Sequence, residues 1–192
     1  YYFGNEPTNT SSAEKNIGIG LTALDAITTG DYNIAIGSDA LTNNTTGNNN
    51  TAIGRFAMEE NTSGYQNTAL GILALEKSTS SGNNVAVGHS SLNSITDGEK
   101  NVGISSGVAP SLTTGDKNVI IGNLAGDSSN LNIESNNVYI GYEAGKDATH
   151  TANYGDNVFI GTQAGKDSKA QYSQFIGSTA GNGTAAFSAG IG

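Results

Sequence analysis

Asn50-Thr51-Ala52-Ile53-Gly54 decides the fold of this chain, because the same five-residue figure returns every 17 residues. It reads Asn16-Ile17-Gly18-Ile19-Gly20 and Asn33-Ile34-Ala35-Ile36-Gly37 before that stretch, and Asn67, Asn84, Asn101 and Asn118 open the copies after it. The spacing then stretches to 19 and 20 residues at Asn137 and Asn157. Two further copies, Ser173-Gln174-Phe175-Ile176-Gly177 and Ser188-Ala189-Gly190-Ile191-Gly192, lack the Asn. A unit shorter than about 20 residues cannot bury its own apolar face and must stack on copies of itself.

Positions are counted from the Asn as zero. The +1 and +3 residues are β-formers, as in Ile34 and Ile36, Val85 and Val87, or Val158 and Ile160. The +2 residue is small in the early copies: Gly18, Ala35, Ala52, Ala69, Ala86, Gly103. This alternation predicts a short strand with two differently packed faces, ended by the Gly at +4. At +7 and +8 stand Ala and a larger apolar residue (Ala57-Met58, Ala74-Leu75), which predicts a second short inward-facing strand. A polar stretch ending in Gly, such as Asn61-Thr62-Ser63-Gly64, turns the chain back to the next Asn. The expected fold is therefore all-β, a parallel β-roll (β-solenoid) of about ten short coils, with rungs roughly 4.8 Å apart. Residues 1–15 read as an N-terminal cap or linker, 16–117 as regular repeats, and 118–192 as irregular repeats with longer loops.

The column Asn16, Asn33, Asn50, Asn67, Asn84, Asn101, Asn118, Asn137, Asn157 is expected to be structural, its amides bonding to one another or to turn backbone. A ladder for ligand is the weaker reading. If +1 and +3 fill the coil, +2 points outward. Ala35, Ala52, Ala69 and Ala86 would then form a flat stripe where identical chains meet. The opposite assignment of faces stays open. Toward the C-terminus +2 enlarges to Ile120, Tyr139, Phe159 and Phe175, while +7/+8 shrinks to Ala125-Gly126, Ala144-Gly145, Ala164-Gly165 and Ala180-Gly181. Such compensation predicts that the two positions pack together, within a coil or across chains.

With Asn50-Thr51-Ala52-Ile53-Gly54, Ala57-Met58 and Asn61-Thr62-Ser63-Gly64 in view, the repeat resembles the head repeats of trimeric autotransporter adhesins of the YadA type. It is equally similar to repeat shafts of phage tail fibres. The resemblance runs from about Asn16 to Gly192 and implies a left-handed β-roll, a homotrimer around one axis, and attachment to a host surface. The implied partners are a host-surface receptor or glycan and other fibre or tail proteins. The implied location is a virion tail fibre or a bacterial cell surface. The adhesin head repeats are usually shorter than 17 residues. Both ends of the chain, at Tyr1 and Gly192, read as cuts in a longer protein.

Composition bounds the alternatives. The net charge is −9 with only 8 Lys and Arg, which argues against nucleic acid as a partner. No apolar run nears the ~20 residues that span a bilayer, so no membrane insertion of this segment is expected. Cysteine is absent, and no cofactor or metal site is expected. His89 and His150 share no motif, and Glu59-Glu60 are adjacent, so no catalytic constellation is read and the chain is taken as non-enzymatic. Acidic residues after turn glycines, such as Asp31 and Asp116, read as caps of backbone amides rather than calcium ligands. Thr28, Thr45, Thr62, Thr79, Thr96 and Thr113 recur at +12, either as turn hydroxyls or as a water-ordering array on a monomeric ice- or ligand-binding solenoid. A fibre-borne polysaccharide depolymerase is the remaining rival. The two stretched coils place extra residues at 127–132 and 147–154, read first as tolerated surface insertions and otherwise as a receptor-contact loop with His150 and Tyr154 as its candidate contacts.

Overall fold

Valine, isoleucine and threonine on either side of a small residue favour extended backbone. Each copy of the figure forms a three- or four-residue strand in the computed structural model. Residues 2–4, 12–127, 135–148, 155–169, 172–183 and 189–191 are described. The strands are β1 (Tyr2–Gly4), β2 (Ile17–Gly20), β3 (Ile34–Ile36), β4 (Thr51–Ile53), β5 (Thr68–Leu70) and β6 (Val85–Val87). They continue as β7 (Val102–Ile104), β8 (Val119–Ile121), β9 (Val138–Ile140), β10 (Val158–Ile160), β11 (Gln174–Ile176) and β12 (Ala189–Ile191). All twelve lie in one parallel sheet in chain order, so the chain is a β-solenoid, with about nine turns between β2 and β11. The register keeps every figure in phase: Ile34 beside Thr51, Ala35 beside Ala52, Ile36 beside Ile53. The longer coils keep it too, with Val119 beside Val138 and Val138 beside Val158, so their extra residues leave the sheet untouched.

The second strand expected at +7/+8 is not formed. That segment is a turn whose residues alternate into left-handed backbone at +6 and +8: Asp39 (φ 61°) and Leu41 (φ 51°), Phe56 (60°) and Met58 (53°), Leu73 (61°) and Leu75 (50°). It still bonds coil to coil, through Leu41 N to Ala57 O (3.1 Å) and Asn43 N to Glu59 O (3.2 Å). Left-handed backbone costs an L-residue roughly 1–2 kcal/mol. Full burial of Leu41, Met58 and Leu75 offsets it. The +4 glycine is required for two reasons: Gly37 has φ +136°, and a Cβ there would lie 2.6 Å from the carbonyl oxygen of Gly54.

The faces of the strand are the reverse of the expected ones. Ala35, Ala52, Ala69 and Ala86 are fully buried inside their own coils, so this column is not a seam between chains. The +1 and +3 residues point outward, with Ile17 37 %, Ile19 38 % and Leu70 44 % exposed. The reason is space. The +8 side chain crosses the narrow coil and leaves room opposite only for a methyl group or a hydrogen. A Cβ on Gly103, for instance, would sit 2.5 Å from Leu92 Cγ. In the C-terminal coils the exchange of bulk occurs within one coil. A Cβ on Gly145 would lie 2.8 Å from the Tyr139 ring, and one on Gly165 would lie 2.3 Å from the Phe159 ring. The freed space holds a buried stack, with Tyr139 and Phe159 centroids 5.0 Å apart and Phe159 and Phe175 5.1 Å apart.

Candidate assembly face and the asparagine column

Two columns stand out: one buried and polar, one exposed and apolar. In the first, the side chains of Asn33, Asn50, Asn67, Asn84 and Asn101 each donate two hydrogen bonds and accept two. Asn50 Nδ2 donates to Asn33 Oδ1 (3.1 Å) and to Gly64 O in its own turn (2.7 Å). Asn50 Oδ1 accepts from Asn67 N (3.0 Å) and Asn67 Nδ2 (3.2 Å). The pattern repeats from Asn33 upward and ends where Ser173 N donates to Asn157 Oδ1 (3.0 Å). In the stretched coils Asn137 Nδ2 and Asn157 Nδ2 also donate, at 3.4 Å, to the carbonyls two residues before them, Ser135 O and Gly155 O. The column is buried and bonded rung to rung, and the bonds of Asn50 leave no atom to present to a ligand.

The exposed column is the outer face of the sheet. At +1 it carries Ile17, Ile34, Thr51, Thr68, Val85, Val102, Val119, Val138, Val158 and Gln174, and at +3 Ile19, Ile36, Ile53, Leu70, Val87, Ile104, Ile121, Ile140, Ile160 and Ile176. No charge interrupts either row. Nine spacings of roughly 4.8 Å between these ten rungs make the strip about 43 Å long. Leu21 and Ile72, at +5, extend it sideways and are 60 % and 43 % exposed.

The other positions singled out in the sequence fall into ordinary structural roles where they are described. The +12 threonine hydroxyls donate along the stack, from Thr28 Oγ1 to Thr45 O (2.9 Å) and from Thr45 Oγ1 to Thr62 O (3.0 Å), and their protons are not offered to water. Asp31 Oδ1 caps Glu14 N (2.6 Å) and Asp116 Oδ1 caps Glu99 N (2.7 Å), each one coil back. Among the described residues no group of His, Asp and Glu has metal-site geometry, no pocket is present, and no helix is long and apolar enough to cross a membrane. His150 and Tyr154 lie outside the described residues.

Two features went unread in the sequence. The Glu143 carboxylate, 9 % exposed, accepts Lys166 Nζ (2.8 Å) and Gln163 Nε2 (2.8 Å) on one oxygen and Lys146 Nζ (3.2 Å) on the other. The bonds from Lys166, Gln163 and Lys146 hold it at about 2, well below the usual carboxylate range. The signal was there in Glu143-x-x-Lys146 and Gln163-x-x-Lys166, at the same places in adjacent coils. The second feature is a buried polar row at +11. Asn61 Nδ2 donates to Asn44 Oδ1 (2.8 Å), and Ser78 Oγ lies 2.5 Å from Ser81 Oγ. Ile27, Ile95 and Leu112 hold the same position in other coils. Comparison of the chain with protein-family models, with curated proteins and with solved structures found no match.

Proposed function

We propose that this chain is the repeat shaft or head of a homotrimeric attachment fibre, on a phage tail or a bacterial cell surface. In this reading three left-handed solenoids stand around one axis, with their +1 and +3 columns turned inward. The observation that carries it is the uncharged, mostly aliphatic strip from Ile17 to Ile176, broken at +1 only by Thr51, Thr68 and Gln174. A strip about 43 Å long by the rung spacing, and two side chains wide, reaches the size at which apolar surface marks an interface. Its periodicity matches a second and third copy rung for rung. The resemblance to adhesin head repeats and tail-fibre shafts supplies the threefold arrangement and the attachment role. The role is mechanical, with a ladder-bonded rod holding a receptor- or glycan-binding region away from its base. No chemistry is assigned to the chain.

Sedimentation equilibrium tests the assembly. The expected mass is three times the 19.5 kDa of one chain. Asp in place of both Ile36 and Ile53 should release folded monomers, and Asp in place of the exposed turn residue Thr46 should not. A wild-type monomer would overturn the proposal and favour a monomeric ligand-binding solenoid.

A further inference from the structure

We infer that the coil from Asn101 to Lys117 is a built-in yield point, where the stack opens first under denaturant or load. Four observations converge on it. The +4 residue is Gly with φ between +126° and +144° in every other coil from Gly20 to Gly177, but here it is Ser105, at φ 137°. Elsewhere a Cβ at this position would meet the next coil's carbonyl oxygen, at 2.4 Å from Gly54 to Gly71 O and at 2.6 Å from Gly37 to Gly54 O. Ser105 carries that Cβ in backbone essentially restricted to glycine. The centre of β7 is Gly103, which gives the strand no side chain to pack.

The ladder also thins on both sides of this coil. The +10 amides of Ala26, Asn43, Glu60 and Lys77 each donate to the next coil at 2.9–3.2 Å, whereas Ser94 N, facing Pro110, does not. The +13 amides of Thr29, Thr46, Ser63 and Ser80 also donate to the next coil, at 3.0–3.3 Å, and Asp97 N does not. On the far side, the +6 bond made by Asp39, Phe56, Leu73, Ser90 and Gly107 is not made by Leu124. Asn123 Nδ2 takes the Ser106 carbonyl instead (3.0 Å). The Asn column nevertheless passes through intact, from Asn101 to Asn84 and from Asn118 to Asn101. One corner therefore stays tied while the opposite side is free to part.

In a stack where each coil touches only its neighbours, the weakest interface decides where opening begins. The rod is thus divided into a uniform block before Asn101 and an irregular, aromatic-cored block after Lys117. Hydrogen–deuterium exchange on the intact chain tests this. Amides of 102–112 should exchange on the order of tenfold faster than those of 51–61 and of 138–148. Ser105→Gly should slow the middle segment on the order of tenfold and leave both flanks unchanged. Gly54→Ser should create a second fast segment around 51–61. Protection that is uniform, or that falls steadily from one end, would overturn the inference. So would a Ser105→Gly protein with an unchanged profile.

Discussion

Replacing Asn50 by Ala tests the polar column in its most regular part. The change removes four bonds, to Asn33 Oδ1, Gly64 O, Asn67 N and Asn67 Nδ2, at 2.7–3.2 Å. Three of the partners keep another contact or another lone pair. The Asn67 backbone N–H keeps none and is fully buried. Three shared bonds at about 1 kcal/mol each, and one orphaned donor at 1–3 kcal/mol, sum to about 4–6 kcal/mol. Small domains have roughly 5–15 kcal/mol in total, so this is a large share of the stability. With a urea slope of about 2 kcal/mol/M, the unfolding midpoint followed by circular dichroism should fall by about 2–3 M. Thr46→Ala, on an exposed side chain four positions before Asn50, should stay within about 0.5 kcal/mol of wild type. If Asn50→Ala proves no more harmful than Thr46→Ala, the column does not hold the coils together.

Other outcomes follow from particular contacts. Ala52→Asp should abolish folding rather than assembly, because it buries a carboxylate with no partner inside the coil; a folded monomer by sedimentation would contradict the inward face. Gly165→Ala should lower the melting temperature more than Gly183→Ala does. Both glycines have φ between +65° and +68°, but a Cβ at Gly165 meets the Phe159 ring at 2.3 Å and one at Gly183 meets nothing within 4 Å. The advantage of wild type over Glu143→Gln should be constant above the ordinary carboxyl value of 4.5. It should shrink as pH falls toward 2, because the depressed group stabilises only while ionised; a difference unchanged at pH 2 would refute the clamp.

The period was legible because single positions tolerate few residue types. Glycine holds the +4 position, near φ +136° against the next coil's carbonyl, in every described coil from Gly20 to Gly177 except at Ser105, and Asn closes both its own turn and the next rung. The direction of the strand faces was not legible. Large-small-large reads alike from inside and outside, and the width of the coil decides it, which is set by the +8 side chain on another segment. The second strand could have been rejected from sequence geometry. Ala57 and Met58 are adjacent and both fully buried, and a strand sends neighbours to opposite faces. The φ of 53° at Met58 is what turns both inward. The Glu143 network was hidden because its partners lie three residues away along the chain and one stretched coil away across it.

Cross-linking through a single introduced thiol addresses assembly most directly, since the native sequence has no cysteine. Ile53 stands at +3 on the outer face of β4. Ile53→Cys treated with a short three-armed maleimide should give a covalent trimer at three times 19.5 kDa, and Thr46→Cys should give none. Monomer alone from Ile53→Cys, under conditions that label every thiol, would contradict three solenoids meeting through the sheet face.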